Sequence, residues 1–257
     1  MASLAEIVQY LDATLDIADI PDYPHALNGL QLANSGTVSR IAAAVDFSGT
    51  TVEAAAHTGA QLLLVHHGMF WSGPQPITGL RFSRLRSLFE HDIAVYSAHL
   101  PLDVHPVLGN NAQLAECLGL VPDGGFARYQ TIDVGLTGPA EVPTKQLVAQ
   151  MEALAREHGG AVVTTRFDPN RVSNRWAICT GAGASSSTIA EAVERGIDTM
   201  IVGEGPHHTA VEARDVGLVI IYAGHYATET FGVRALAKTL VDRFHVESSF
   251  IEAPTGL

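Results

Sequence analysis

Short apolar runs alternate with helix-like segments along most of this chain. Several runs stop abruptly at polar residues, as Leu62–Val65 does before His66. Segments with apolar residues at helical spacing, often closed by glycine, separate the runs. This alternation predicts an α/β architecture in which helices cover the sheets. The predicted strands are 40–45, 62–65, 93–98, 132–136, 162–167, 176–180, 199–202 and 218–222, and the predicted helices are 3–14, 51–57, 81–91, 111–118, 143–158, 188–194, 211–215 and 231–244.

The first predicted helix has a recognisable start. Ser3, followed three residues later by Glu6, fits a capping box, in which each side chain bonds to the backbone N–H of the other residue. We therefore predict Ser3 as the N-cap of a helix whose apolar stripe is Leu4, Ile7, Val8 and Leu11.

The two halves of the chain resemble each other. The segment 51–65 aligns without a gap with 188–202, so that His66-His67-Gly68 falls on Gly203-Glu204-Gly205. We interpret this as an internal duplication that produced two similar α/β lobes. The alternative is that the repeat is only scaffold and that its polar residues are solvated.

A second alignment supports the same interpretation. Val95–Asp103 falls on Ile221–Glu229, and each segment ends in a histidine followed four residues later by a carboxylate. The Pro- and Gly-rich stretch 122–125 then predicts a boundary between a first lobe, 1–123, and a second, 124–257. The last helix, 231–244, either stays with the second lobe or packs back on the first.

Composition narrows the classes of function. The net charge of −12 argues against a protein that binds the phosphate backbone of nucleic acids. No apolar run approaches the roughly 20 residues of a membrane-spanning helix, and the N-terminus lacks the pattern of a signal peptide. Cys117 and Cys179 lie far apart, outside any CxxC motif. We expect a cytoplasmic protein with reduced thiols.

The candidate chemistry lies at the strand ends. Imidazole and carboxylate ligands without cysteine suit Zn, Fe, Mn or Co. The candidates are too many for one four-coordinate ion and suit two divalent ions about 3.5–4 Å apart. We expect Pro101 to prevent a helix, so that a loop holds the spacing from His99 to Asp103. The candidate residues are His66, His67, His99, Asp103, Glu204, His225 and Glu229.

Other polar stretches give weaker signals. Gly181–Ser187 follows a predicted strand and resembles a phosphate cradle, but it has neither GxGxxG nor a P-loop lysine. The alternative is a scaffold turn. Asp46 either reaches the cleft or, as we expect, caps the next helix. His207 and His208 either contact a substrate or face solvent.

A set of motifs in one order carries a family resemblance. These motifs are Asn28-Gly-Leu-Gln31, Val65-His-His-Gly68, His99-Leu-Pro-Leu-Asp103, Gly203-Glu-x-x-His207-His208 and Gly224-His-Tyr-Ala-Thr-Glu229. The set resembles the GTP cyclohydrolase 1 type 2 homologue family, also called the Nif-three-like dinuclear metal centre proteins. The resemblance implies two similar, duplicated α/β lobes around a dinuclear metal cleft, assembled into a ring-like homohexamer. It implies metal ligation by His66, His67, Asp103, His225 and Glu229, with Glu229 bridging and with His99 and Glu204 as additional ligands or supports.

The same resemblance suggests a reaction. The family name implies a hydrolase in which a metal-bound hydroxide attacks a nucleotide ring or a similar amide-like bond. A triphosphate would need basic partners, and the nearest candidates are Arg81, Arg84 and Arg234. The alternative is a non-catalytic metal-binding or protein-interaction scaffold, so the residues leave open whether the chain is an enzyme.

Overall fold

The computed structural model describes residues 1–256, in which strands and helices alternate as the sequence predicts. In chain order the strands are β1 (Ala2–Ser3), β2 (Gly29–Leu32), β3 (Thr37–Val38), β4 (Arg40–Asp46), β5 (Leu62–His67), β6 (Ala94–Ser97), β7 (Gly124–Tyr129), β8 (Ile132–Pro143), β9 (Val163–Thr164), β10 (Val172–Cys179), β11 (Thr199–Val202), β12 (Val219–Tyr222) and β13 (Glu247–Phe250). The helices are α1 (Leu4–Thr14), α2 (Gly49–Thr58), α3 (Gly79–Glu90), α4 (Leu100–Asp103), α5 (Asn110–Cys117), α6 (Thr144–Glu157), α7 (Ser186–Glu194), α8 (His207–Asp215) and α9 (His225–Phe244).

Contacts divide the chain into two compact units. Unit 1 contains residues 1–105 and 232–253, and unit 2 contains residues 106–231 with the C-terminal residues from Pro254. The sequence suggested a boundary at 123–124, whereas the contacts divide the chain after His105. The reason is that α5 packs its buried Leu114 into the core of unit 2, against Leu147 and Trp176.

Unit 1 is built on a mostly parallel sheet. Its strand order is β13-β4-β5-β6-β2, with β2 antiparallel to β6 and the other neighbours parallel. Both faces are covered, and Leu62–Val65 are fully buried, as a continuous apolar run in a parallel sheet predicts. The register places Asp46 beside His67 at the carboxyl edge of the sheet.

Unit 2 is also built on a sheet whose central strands are parallel, but antiparallel strands flank them on both sides. Its order is β7-β8-β10-β11-β12-β9, and β10, β11 and β12 are parallel. The strand predicted over 162–167 is only Val163–Thr164, and the one predicted over 132–136 extends to Pro143. The unit has a core on each face of the sheet, one around Trp176 and one around Met200.

Two local predictions were wrong. Ser3 is at the N-cap of α1, but among the described residues its side chain makes no capping hydrogen bond. Ser3 lies in β1, and the N–H of Leu4 donates to the carbonyl of Gly36 instead. Pro101 does not prevent a helix either, because it occupies the first turn of α4, where no intrahelical N–H donor is needed.

The last helix also begins earlier than predicted, at His225 instead of Phe231. Within residues 1–256, no helix has both the length and the hydropathy needed to cross a bilayer.

Candidate metal centre

The carboxyl edge of the unit 1 sheet brings three histidines together. His66 and His67 end β5, and His99 follows the end of β6. One ring nitrogen from each lies within 4.8 Å of those of the other two. All three residues are buried. At this strand end both rings of the adjacent pair therefore belong to one cluster.

An oxygen acceptor holds the Nδ1 atom of each ring. His66 Nδ1 lies 2.8 Å from the carbonyl oxygen of Ala98. His67 Nδ1 lies 2.8 Å from Asp46 Oδ1, and His99 Nδ1 lies 2.8 Å from Asp22 Oδ1. Because a carbonyl or carboxylate oxygen accepts, each Nδ1 carries the proton, and the lone pair is on Nε2. This tautomer is the one that ligates a metal through Nε2.

Asp103 adds a carboxylate to the same cluster. It is the last residue of α4 and is buried. Its Oδ2 lies 3.5 Å from His66 Nε2. A buried carboxylate beside imidazole nitrogens is a typical donor set for a divalent cation.

The loop before β2, together with β2 itself, supports this edge of the sheet. Asn28 accepts from the backbone N–H of His99 at 2.7 Å and donates to Asp22 at 2.8 Å. Gln31 accepts from the N–H of Met69 at 2.7 Å. A Cβ on Gly68 would lie 2.3 Å from the Gln31 amide nitrogen. Gly68 is therefore needed for this close approach, and Asn28 and Gln31 both hold the segments that carry the histidines.

An indole lies against the imidazole rings. The Trp71 ring centroid is 4.9 Å from that of His67 and 4.5 Å from that of His99, and Tyr23 lies 5.9 Å from His99. Trp71 is 40% exposed. The aromatic rings restrict the histidine rotamers and shield them from solvent on this side.

Unit 2 provides a second group of donors at the start of α9. His225 Nδ1 lies 2.7 Å from Glu204 Oε1, and His225 Nε2 lies 3.1 Å from Glu229 Oε2. Glu229 is buried, one helical turn after His225. Glu204 therefore orients the His225 ring from its Nδ1 side, while Glu229 shares the Nε2 side.

A glycine leaves room for the Glu229 carboxylate. Gly181 has φ of +62°, and a Cβ there would lie 2.1 Å from Glu229 Oε1. Its N–H donates to Thr228 Oγ1 at 3.1 Å. The stretch that resembled a phosphate cradle thus forms a turn packed against α9. The N-cap of the following helix is Ser185, in a capping box with Thr188.

Neighbouring side chains shift the pKa values of His225 in unit 2 and of Asp22 in unit 1. Burial lowers the pKa of His225, but the hydrogen bonds and charges of Glu229 and Glu204 outweigh it and raise the pKa to about 9. Burial raises the pKa of Asp22, but His99 and Asn28 hold it below its ordinary value overall. The Glu204, Glu229 and Asp22 carboxylates thus give these positions a negative potential, which attracts a proton or a metal cation.

Two carboxylates were not identified as histidine partners from the sequence. Asp46 was expected to cap α2, but Ser48 is the cap and Asp46 bonds to His67. Asp22 lies between two prolines, where the sequence has no periodicity to predict a contact with His99. His207 and His208 are exposed at the start of α8.

The donor set of unit 1 fits a metal ion. His66, His67 and His99 are close enough to share one, and their Nδ1 partners fix the required tautomer. Three buried imidazoles beside the Asp103 carboxylate form a donor set that suits a divalent cation. The cluster can therefore hold a metal ion.

Comparisons with known proteins agree on one family. Residues 2–255 match Duf34/NIF3 (NGG1p interacting factor 3). A Deinococcus radiodurans protein named GTP cyclohydrolase 1 type 2 homolog is 41% identical, covering 98% of this chain and 94% of that protein. A Pyrococcus abyssi protein of the same name is 40% identical, covering 98% of each chain.

Solved structures show the same fold. Protein ybgI, described as of unknown function, matches with a TM-score of 0.88 and 36% identity over the whole of both chains. TTHA1606 from Thermus thermophilus matches with a TM-score of 0.83 and 36% identity, also over both whole chains. Reduced HcgD from Methanocaldococcus jannaschii shares the fold, with a TM-score of 0.81 over 98% of each chain.

Proposed function

The chain belongs to the Duf34/NIF3 family, and we propose that it binds two metal ions and acts as a metal-dependent hydrolase. The observation that carries this proposal is the buried imidazole cluster, in which each Nδ1 is held by an oxygen. Relatives are named GTP cyclohydrolase 1 type 2 homolog. The proposed substrate class is accordingly a nucleotide ring or a similar amide-like bond.

The proposed ligands are His66, His67, Asp103, His225 and Glu229, with Glu229 bridging. His99 acts as an additional ligand or support, and Glu204 supports His225 through its Nδ1. The donors of units 1 and 2 serve one dinuclear centre in this proposal.

The residues of the chain have distinct tasks in such a centre. A pair of divalent ions, of Zn, Fe, Mn or Co, would supply Lewis acidity and lower the pKa of a bound water toward neutrality. Asp46 and Asp22 orient His67 and His99, and the aromatic ring of Trp71 excludes water from one side. Burial of the Asp103 and Glu229 carboxylates strengthens their attraction for the cations.

The proposal also covers an internal duplication, the cellular location and the oligomeric state of the chain. Both halves contain a strand, a helix with a Ser–Thr capping box and a parallel strand, which supports an internal duplication. Cys117 and Cys179 form no disulfide with each other, and a cytoplasmic location is part of the proposal. A ring-like homohexamer is the proposed assembly, and a monomer in light scattering would overturn that part.

Metal analysis of the purified protein tests the site. We expect two ions per chain, and clear loss of metal in His67→Ala and in Glu229→Ala. His91→Ala is the matched control, since His91 is an exposed histidine at the end of α3. Unchanged metal content in the two ligand variants would refute the site assignment.

Turnover tests the reaction separately. The metal-loaded protein is assayed with nucleotides, cyclic amides and phosphoesters. Hydrolysis that disappears in Glu229→Ala but not in His91→Ala supports the hydrolase. Full metal content without turnover of any of these classes would leave the metal-binding scaffold as the function and reject the enzyme.

A further inference from the structure

A cavity in unit 1, beside the histidine cluster, has a basic wall. Its volume is about 450 Å³, and Arg81 and Arg84 line it. The two arginines are three residues apart on α3, so their side chains share one face of the helix. None of the described residues that line the cavity is acidic. In a chain with a net charge of −12, such a cavity is a local exception.

Arg81 and Arg84 differ from other arginines of unit 1 because no carboxylate among the described residues pairs with them. Arg86, also on α3, pairs with Glu90, and Arg234 pairs with Glu252 and stacks on Phe250. No ion pair within residues 1–256 includes Arg81 or Arg84. Of the three arginines that the sequence offered for a phosphate, Arg234 is thus already engaged.

The surroundings of Arg84 favour an anion. Its Nε is buried and has no hydrogen-bond partner among the described residues. The same atom lies 3.7 Å from the position of a Cβ on Gly49, the first residue of α2. The N-terminal end of a helix is electropositive, so a guanidinium there is unfavourable without a neighbouring anion. Ser72, Gln75 and Thr78 add polar groups to the wall of the cavity.

The cavity also adjoins the proposed metal ligands. Phe47 and Met69 line it, and they lie one residue after the end of β4 and two residues after the end of β5, respectively. The N–H of Phe47 donates to the carbonyl of His67 at 2.9 Å, and Asp46, just before Phe47, bonds to the His67 ring. Ligands of α/β proteins commonly bind at this carboxyl edge of the sheet.

We propose that this cavity binds the phosphate group of a substrate through Arg81 and Arg84, beside the His67 side of the metal centre. The inference deepens the proposed function and rests on it for the identity of the ligand as a substrate. The volume suits a phosphorylated small molecule. Charge-assisted hydrogen bonds from two guanidinium groups would hold the phosphate oxygens.

Calorimetric titration of the full-length protein at low ionic strength tests the proposal. The probes are inorganic phosphate and glycerol 1-phosphate. We expect Arg81→Gln/Arg84→Gln to weaken binding about tenfold or more, with two ions per chain retained. Arg86→Gln, which removes a charge from the same helix, is the control and should keep the wild-type affinity.

The two probes distinguish the source of the phosphate. Binding of glycerol 1-phosphate as tight as that of phosphate indicates an ester substrate, and a preference for phosphate indicates the free ion. Either result supports the site if the double variant loses it. Equal phosphate affinity in the double variant and the wild type, or no binding by the wild type, overturns it.

Binding to metal must be separated from binding to the arginines. We expect His67→Ala, which loses metal, to keep the arginine-dependent part of phosphate binding. If His67→Ala loses all phosphate binding while the double arginine variant keeps it, the metals bind the phosphate and this inference fails. If wild-type protein binds phosphate but contains no metal, the proposed function fails and the cavity stands.

Discussion

Three hydrogen bonds decide which nitrogen each histidine of the cluster presents. A neutral imidazole has one proton, and an oxygen acceptor at Nδ1 keeps it there. The acceptors are the Ala98 carbonyl and the carboxylates of Asp46 and Asp22. A carboxylate also raises the basicity of the ring and stabilises the charge of a bound cation. The partners of the histidines are therefore as much part of the site as the rings.

Asp46→Asn tests this at one residue. The change removes the negative charge behind His67 with little change in size. We expect metal affinity to fall by about tenfold or more, measured by competition with a chromophoric chelator. Asp133→Asn is the matched control: Asp133 is 39% exposed, against 37% for Asp46, and binds Arg128 on the surface. Equal affinities in the two variants would contradict a supporting role for Asp46.

Gly181→Ala tests the space that Glu229 requires. Its Cβ would meet Glu229 Oε1, so the carboxylate must move. Gly196→Ala is the control, because its φ of +64° matches the +62° of Gly181 but nothing lies within 4 Å of a Cβ there. We expect both variants to lose about 1 kcal/mol of stability from backbone strain. Only Gly181→Ala should lose metal, and a similar loss in Gly196→Ala would contradict the argument.

The sequence predicts the donors at this scale better than their partners. Histidines at the ends of apolar runs mark a strand edge, and the structure brings His66, His67 and His99 together. Asp46 and Asp22 could not be assigned in the same way. Asp46 precedes a helix, so capping was the local explanation, and only the register of β4 beside β5 pairs it with His67.

Two helices start in the same way, and their capping boxes are the clearest element-level parallel between the halves. In α2, Ser48 Oγ accepts from the N–H of Thr51 at 3.2 Å, and Thr51 Oγ1 accepts from the N–H of Ser48 at 2.9 Å. In α7, Ser185 and Thr188 form the same pair of bonds, at 3.1 and 2.9 Å. Each box fixes the start of a helix that connects two parallel strands.

Removing the caps should cost the two helices similar amounts. We expect Ser48→Ala and Ser185→Ala each to lower the free energy of unfolding by about 1 kcal/mol. Ser3→Ala is the control, since Ser3 is an N-cap residue whose side chain makes no capping bond in the described structure. Urea unfolding followed by circular dichroism gives the three values. An equal loss in Ser3→Ala would show that the side-chain caps are not the cause.

Hydrophobic periodicity predicts which helices and strands exist, but it predicts less well where they begin and end. The ends of β11 and β12 are predicted to within one residue because these parallel strands are apolar on both faces, but β5 extends two residues beyond the apolar run, through His66 and His67. The start of α9 was missed by more than one turn, since His225 to Thr230 contains polar residues that are typical of a loop. Most of those residues are buried, so tertiary contacts extend the helix.

The pairing of segments far apart in the sequence is the feature of the whole molecule that local sequence patterns predict least. Strand β13 pairs in parallel with β4, so the C-terminal segment completes the sheet that the first hundred residues build. No pattern near residue 250 indicates this pairing, because a short edge strand with two serines has little apolar signal. A boundary argued from proline and glycine therefore cannot find a unit that is discontinuous in sequence.

Removal of metal tests the proposed centre at the scale of the molecule. Since the proposed donors come from residues of both units, loss of the ions should destabilise the two units together. With free metal at about a hundred times its dissociation constant, binding contributes roughly 3 kcal/mol, or several degrees in melting temperature. We expect chelation to lower the melting temperature by that amount and re-addition of metal to restore it, measured by calorimetry.

The His67→Ala/Glu229→Ala variant should melt at the same temperature with and without chelator. If chelator lowers the melting temperature of that variant as much as that of the wild type, the stabilising metal is bound elsewhere. If chelation splits wild-type unfolding into two transitions, the ions stabilise only one unit.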